Sequence, residues 1–325
     1  MMKKMSPQIF FFAILLALAS CSTNDSDVNV EKEDAIEAVV TEEQQSEETQ
    51  GDVRKGGPFF NANQDPLPNG KKWVKVEAMS DEFNDSSFNA NKWKNTDPNR
   101  WIGRPPGLFT ESTVSEKNGN LRLTCKKLPS PRVVNGKTFT HEGSNITSHT
   151  AGQVGYYFEA RMKANKTFMS STFWLINNAN DTNGCDKRTI ELDIQECVGQ
   201  IVGTANFAQN FNRTIHSNTH SRNTACATTP TGSVGGNKEL YNKVYESYHV
   251  YAAWWKSKTE IVFYLDGNEV YSISPKADFD LPLYLKLVTE TYDWNPVPSD
   301  GGMTGTWGER TTFYDWVRTY KLENL

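Results

Sequence analysis

The segment Glu191-Leu192-Asp193-Ile194-Gln195-Glu196 places three carboxylates within six residues, with apolar residues between them. Side chains along a β-strand alternate between its two faces, so Glu191 and Asp193 share one face. Glu196 comes three residues after Asp193 and falls on the other face of a regular strand. A β-bulge adds one residue and returns Glu196 to the acidic face, and such bulges are frequent beside active sites.

Carboxylates held in this way suit hydrolysis of a glycosidic bond with retention of configuration. That reaction needs a nucleophilic carboxylate and a protonated acid about 5–5.5 Å apart. On a flat strand Glu191 and Glu196 are too far apart, so this interpretation requires a concave sheet. The competing interpretation is an acidic strand face that simply points into water. No Lys or Arg interrupts the segment, and aromatic strands follow it.

The N-terminus has the pattern of an export signal. Lys3 and Lys4 precede an apolar run, 9–19, that is too short to span a membrane. The residues leading to Cys21 resemble a bacterial lipobox, in which the cysteine carries lipid. This predicts a signal peptide over 1–20, lipidation of Cys21, and a protein anchored to the bacterial outer membrane and facing the exterior.

Residues 21–57 have the composition of an acidic, disordered tether. The part after Cys21 contains eleven acidic and three basic residues, a net charge of −8, and no aromatic residue. The whole chain carries −5, so the remainder is close to neutral. Residues 58–325 are then expected to form one domain. It has no basic stripe, P-loop or dinucleotide motif, so we expect neither nucleic acid nor nucleotide as a partner.

The body of the chain consists of short alternating segments separated by turn signals. Asn118-Gly119 and Asp266-Gly267 are typical of tight β-hairpins. Helical periodicity is weak, so we predict an all-β fold, a two-sheet antiparallel sandwich. Four cysteines follow Cys21 and allow three disulfide connectivities. We favour Cys185 with Cys226, because both lie in polar segments that flank the acidic strand.

Several tryptophans are candidates for binding sugar rings, whose flat C–H faces stack on aromatic side chains. A lone tryptophan in an alternating strand is more often part of the core. Trp101 and Trp294 differ because each lies in a loop-like, polar segment.

These features together resemble glycoside hydrolase family 16, with its bulged Glu-x-Asp-x-x-Glu motif. The resemblance covers residues 73–321 and includes Ser80-Asp-Glu-Phe83, Gly155-Tyr-Tyr-Phe-Glu-Ala-Arg-Met-Lys163, Phe263-Tyr-Leu-Asp-Gly267 and Tyr314-Asp-Trp-Val-Arg-Thr-Tyr320. It implies a β-jelly-roll with a concave groove. It also implies Glu191 as nucleophile, Glu196 as general acid/base and Asp193 as the residue that orients the nucleophile.

Within the family, Phe168-Met-Ser-Ser-Thr-Phe-Trp174 is similar to the branch that degrades red-algal agar galactans. The same comparison implies substrate contacts for Trp101, Trp174, His220, Glu290 and Trp294. His220 has an alternative interpretation as a purely structural histidine.

Arg104, three residues after Trp101, departs from the agarase pattern and is similar to porphyranases, where an arginine holds a sulfate ester. It could equally be a structural arginine. We expect a β-agarase acting on agarose, with a β-porphyranase as the alternative and a carbohydrate-binding protein on the same scaffold as the competing class. The enzyme is expected to be a monomer and to need no cofactor or catalytic metal. A structural calcium ion is implied by the resemblance alone, with Asp315 as a candidate ligand.

Overall fold

The computed structural model describes residues 56–325. The predicted signal peptide, the lipidation of Cys21 and almost all of the tether lie outside the described residues and stay predictions. Within residues 56–325, none of the helices is both long and apolar enough to cross a membrane.

The described residues form seventeen strands joined by turns and six short 3-10 helices. The first nine strands are β1 Lys71–Lys75, β2 Trp93–Lys94, β3 Gly107–Phe109, β4 Val114–Lys117, β5 Asn120–Thr124, β6 Lys126–Val134, β7 Lys137–Gly152, β8 Tyr157–Lys163 and β9 Ser170–Ile176. The other eight are β10 Thr189–Val198, β11 Thr214–Arg222, β12 Gly232–Glu239, β13 His249–Ser257, β14 Glu260–Leu265, β15 Asn268–Ile273, β16 Leu283–Thr289 and β17 Thr311–Asn324. The 3-10 helices span Glu77–Met79, Glu111–Thr113, Ala179–Asp181, Gly184–Asp186, Asn206–Ala208 and Gly308–Arg310.

The strands build two sheets, as the sequence predicts for a sandwich. One has the order β15-β14-β13-β8-β17-β5-β4, with β1 added to β17. The other, here named the groove sheet, has the order β12-β11-β10-β9-β16-β7-β2, and β3 and β6 also pair with β7. All the pairings are antiparallel except the short β3–β7 pair, which is parallel. The predicted all-β jelly-roll is therefore confirmed.

Period-two alternation assigns one face of the groove sheet to the core. Leu192 on β10, Phe173 on β9 and Leu285 on β16 are fully buried in the main hydrophobic cluster between the sheets. The residues between them on the same strands, such as Glu191 and Trp174, face the other side of the sheet. The core therefore fixes which side chains are available for chemistry.

The predicted bulge lies where the acids require it. Asp193 pairs with Trp174 and Gln195 pairs with Phe173, so Ile194 is the extra residue of β10. Ile194 is buried in the core, and Glu196 lines the same cleft as Asp193. One inserted residue thus restores the parity that the sequence lacks.

Local covalent and turn features also match the predictions. Cys185 and Cys226 form a disulfide that closes a 41-residue separation around β10 and β11. Cys125 and Cys197 are free and buried. Both residues of Asn118-Gly119 and of Asp266-Gly267 have positive φ, as two-residue hairpin turns require.

Candidate active site

A cleft of about 280 Å³ opens on the face of the groove sheet that points away from the core. It contains seven of the nine predicted site residues: Trp101, Arg104, Trp174, Glu191, Asp193, Glu196 and Glu290. The other two, His220 and Trp294, touch residues of the cleft but do not line it. The strands β9 and β10 form its floor, and the segments around Trp101 and Tyr292 form its walls.

Glu191 is held by the neighbouring strand β11. Its direct partner across the ladder is His220. Arg222, two residues further along β11 and therefore on the same face, donates from Nη2 to Glu191 Oε2 at 2.5 Å. This charge-assisted bond stabilises a negative carboxylate and fixes its orientation.

Asp193 is almost fully buried between the two glutamates. Its Oδ2 has no hydrogen bond, although His220 Nε2 lies 3.1 Å away, outside hydrogen-bonding geometry. Burial, and next the charge of Glu191, raise the pKa of Asp193 well above its usual range. Asp193 thus takes up a proton more readily than an exposed carboxylate does.

His220 links the acids to the edge of the sheet. Its Nδ1 lies 2.5 Å from Ser233 Oγ, and its Nε2 is 3.8 Å from Glu191 Oε1. Burial lowers the pKa of His220, which the Glu191 charge partly opposes. A neutral imidazole beside the acids is therefore favoured at neutral pH.

Glu196 has the properties of a proton donor. Burial, followed by the charges of Asp193 and Glu191, raises the pKa of Glu196 to about 8. The Tyr292 hydroxyl donates to its Oε1 at 3.0 Å, which opposes the rise. Glu196 is consequently protonated at neutral pH, the state that an acid catalyst needs.

Two tryptophans stand side by side in the cleft over a buried ion pair. The rings of Trp101 and Trp174 are 6.2 Å apart, edge to face. Lys286 Nζ lies 5.5 Å and 4.9 Å from their centroids. Lys286 forms an ion pair with Asp97, and their side chains are 0% and 2% exposed. Burial lowers the pKa of Lys286, and the charge of Asp97 opposes this.

Asp97 also positions the loop that carries Trp101. Its Oδ1 accepts the backbone N–H groups of Asn99 at 2.7 Å and Trp101 at 3.3 Å. One carboxylate therefore joins the loop to β16 through Lys286. The orientation of Trp101 depends on this buried pair.

Arg104 lies in the cleft but is already engaged by two carboxylates. Its Nε donates to Glu290 Oε2 at 3.1 Å, and its Nη1 to Asp293 Oδ2 at 3.3 Å. Its guanidinium carbon is 5.7 Å from the centroid of Tyr292. Burial raises the pKa of Glu290 to about 7 even though the Arg104 charge lowers it. The ion pairs hold Arg104 in place at the cleft, and its predicted contact with sulfate stays a prediction.

Trp294 packs against Tyr292 at the cleft wall and is not among the residues that line the cleft. Its ring stacks on Tyr292 at 4.9 Å with an interplanar angle of 21°. It therefore supports the tyrosine that bonds to Glu196. Direct contact between Trp294 and a sugar near the acids stays a prediction.

Four site residues escaped the sequence analysis: Asp97, Arg222, Lys286 and Tyr292. Arg222 had a usable signal, since it lies two residues after His220 on an alternating strand. Lys286 had another, as a lone charge within the apolar strand Leu283–Thr289. Asp97 and Tyr292 lie in loop sequence, where no periodicity assigns a face.

Possible metal ligands come together beside the predicted catalytic acids. Within residues 56–325, one group of three possible metal ligands comes together: Glu191, Asp193 and His220, with ligand atoms within 4.8 Å of one another. The Arg222 guanidinium already neutralises Glu191 there. Asp315 accepts a hydrogen bond from Arg161 at 2.8 Å, and its role as a calcium ligand stays a prediction. A calcium ion elsewhere stays a prediction.

The chain is similar to known porphyranases and, more distantly, to an agarase. Residues 73–322 match the family model "Beta-porphyranase A-D, GH16 domain". The chain is 52% identical to β-porphyranase B of Zobellia galactanivorans over 267 residues, 82% of this chain and 90% of the relative. The crystal structure of that organism's porphyranase B superposes with a TM-score of 0.80 and 51% identity, covering 82% of this chain and all of the other. An extracellular agarase of Streptomyces coelicolor is 26% identical, covering 77% of this chain and 84% of the relative.

Replacement of Lys286 by methionine should destabilise the fold by about 3–5 kcal/mol, because Asp97 is left as an unpaired buried charge. The double variant Lys286→Met/Asp97→Asn should recover part of this loss. Urea unfolding followed by tryptophan fluorescence measures both values.

Lys94→Met is the matched control. Lys94 lies 5.5 Å over the ring of Tyr284 but is only partly buried. Its replacement should change the free energy of unfolding by about 0.5 kcal/mol or less. Equal effects of the two single variants would contradict a special role for the buried pair.

Proposed function

The chain belongs to glycoside hydrolase family 16, in the group of β-porphyranase A–D domains, and on that premise we propose that it is a retaining endo-hydrolase acting on porphyran. Its action on an agar-type galactan is common to the relatives that it matches. The observation that carries the catalytic proposal is the bulged acid row, with a buried, protonated Glu196 beside an arginine-bound Glu191.

The first step of the proposed reaction forms a covalent intermediate. A Glu191 oxygen attacks the anomeric carbon while Glu196 transfers its proton to the glycosidic oxygen. The bond from carbon to that oxygen breaks, and the bond from carbon to Glu191 forms. Arg222 holds the attacking carboxylate in position through its hydrogen bond until it reacts.

The second step releases the sugar. Glu196, now a carboxylate, takes a proton from a water molecule whose oxygen attacks the same anomeric carbon. Glu191 departs as a carboxylate, and Glu196 is protonated again. Two displacements at one carbon give overall retention. Tyr292 stabilises the anionic form of Glu196 through its hydroxyl, and Asp193 lies between the two reacting groups.

The substrate proposal reverses the order expected from the sequence. That expectation placed agarose narrowly ahead of porphyran within the agar-galactan branch. The chain is 52% identical in sequence to a β-porphyranase and 26% identical to an agarase, and this difference favours porphyran. One guanidinium group in the cleft, that of Arg104, also suits a sulfated polymer, because guanidinium matches sulfate in charge and geometry.

A non-catalytic binding protein is the weaker alternative. Binding alone needs neither a carboxyl group with a pKa of about 8 nor a second carboxylate positioned by arginine. The acid row therefore supports catalysis.

Glu191→Gln should abolish release of reducing ends from porphyran, because the amide cannot form the glycosyl intermediate. Glu196→Gln should slow it by about 10²–10⁴-fold through loss of the proton donor. Glu111→Gln, at an exposed position that does not line the cleft, is the control and should keep full activity. Proton NMR of the first products should show the β-anomer, and the α-anomer would contradict double displacement.

The loss of activity at alkaline pH, which is the alkaline limb of the pH profile, should follow the deprotonation of Glu196. Because the pKa of Glu196 is raised to about 8, its proton is present at neutral pH and is lost as the pH rises through 8. The value of kcat/KM on porphyran should then fall about tenfold per pH unit. Since the Tyr292 hydroxyl lowers the pKa of Glu196, Tyr292→Phe should move this limb to higher pH. A limb near pH 5, or one that Tyr292→Phe leaves in place, would contradict the assignment.

Arg104→Ala tests the sulfate contact. Loss of a hydrogen bond to a charged group should lower activity on porphyran by about 10- to 100-fold and spare activity on agarose. Arg132→Ala, at an exposed position on β6, should change neither. Since Arg104 also binds Glu290 and Asp293, equal losses on both polymers would assign it a purely structural role.

A further inference from the structure

A row of aromatic rings leads out of the cleft at its Glu196 end. Tyr292 bonds to Glu196, Trp294 stacks on Tyr292, and Phe207 meets the Trp294 ring edge to face at 5.5 Å. Phe207 is 63% exposed, whereas Tyr292 is buried and Trp294 is partly buried. The row therefore begins at the acid and ends at the surface.

A second set of contacts joins this row to the groove sheet. Phe211 lies 4.9 Å from Trp294 and 6.0 Å from Phe207. Its ring also packs against His216 at 4.3 Å. His216 precedes His220 by four residues on β11 and so shares its face. Phe207 is thus connected through two routes to the face that bears the acids.

The segment that carries Phe207 is firmly attached. Asn295 Oδ1 accepts the backbone N–H groups of Val202 at 2.7 Å and Gly203 at 3.0 Å. At Gly203 the backbones approach so closely that a Cβ atom would lie 1.8 Å from the Trp294 carbonyl oxygen. The exposed ring is therefore presented by a fixed loop.

We propose that Phe207, with the edge of Trp294, forms a distal subsite that binds galactan units leaving the cleft beyond Glu196. This inference rests on the proposed function, since it names a further contact for the same polymer. Phe207 is exposed and lies edge to face with the partly buried ring of Trp294, in the row that starts at Glu196. The flat C–H face of a sugar ring fits such a ring, and continuity with the cleft identifies the occupant as the polysaccharide.

The test compares long and short substrates. For Phe207→Ala, the ratio of kcat/KM on polymeric porphyran to kcat/KM on its tetrasaccharide should fall about 3- to 10-fold, as loss of one stacking contact predicts. The change should appear in KM for the polymer and not in kcat. Phe207→Trp should restore the ratio, because it returns a stacking surface.

Tyr241→Ala is the control. Tyr241 is 82% exposed, and its ring contacts His249 of the other sheet. Its loss should leave the ratio unchanged. An unchanged ratio for Phe207→Ala would overturn the subsite, as would equal effects of the two variants. Sedimentation showing that Phe207→Ala dissociates a dimer would assign the patch to a second copy of the chain and would also overturn it.

Affinity electrophoresis separates this inference from the proposed function. Glu191→Gln and Glu191→Gln/Phe207→Ala are run in gels that contain porphyran or agarose. Retardation that depends on Phe207 supports the subsite even if the wild-type enzyme cleaves neither polymer. If wild-type enzyme cleaves porphyran but both variants are retarded equally, the subsite is rejected and the proposed function is retained. Absence of retardation in both gels would also reject the subsite.

Discussion

Three carboxylates on one face of one strand, largely removed from water, cannot all be ionised at neutral pH. Like charges and burial both favour the neutral form, and they act together on Asp193 and Glu196. Arg222 donates a charge-assisted hydrogen bond to Glu191, and its charge also lowers the pKa of Asp193. The strand therefore carries one carboxylate, Glu191, that is bound by an arginine and one carboxyl, Glu196, whose raised pKa keeps its proton at neutral pH. That difference between chemically identical groups is what acid-assisted nucleophilic displacement needs.

The β-bulge in β10 is the backbone feature that brings the three acids together on one face. Without the extra residue Ile194, Glu196 would point into the hydrophobic core between the sheets. A buried, unpaired carboxyl in that position would destabilise the sandwich. The local break in β-sheet pairing thus places the third acid in the cleft while the apolar face of β10 remains continuous.

A buried ion pair also positions the wall of the cleft. Lys286 and Asp97 are withdrawn from solvent together, and Asp97 fixes the backbone of the loop that bears Trp101. A buried ion pair contributes little net stability, yet it strongly disfavours structures in which only one partner is buried. It therefore specifies one position for the loop. Arg104, with Glu290 and Asp293, ties the opposite wall in a similar way.

The sequence by itself determined the features that follow from local periodicity. Alternation predicted the sandwich, the shared face of Glu191 and Asp193, and the need for a bulge before Glu196. Positive-φ turn residues predicted the hairpins, and the flanking positions of Cys185 and Cys226 predicted their disulfide. The sandwich, the bulge and the hairpins follow from residues that are close in the chain. The disulfide follows from the positions of two cysteines on either side of the acidic strand.

Only the tertiary structure decided the partners of the acids. Arg222 reaches Glu191 through the register of β10 with β11, and Tyr292 reaches Glu196 across 96 residues of chain. The ion pairs of Arg104 with Glu290 and Asp293 were not foreseen from the sequence. Nor was the stacking of Trp294 on Tyr292. Loops carry no alternation that assigns a face, so the positions of their side chains are set by long-range packing, which the linear sequence does not specify.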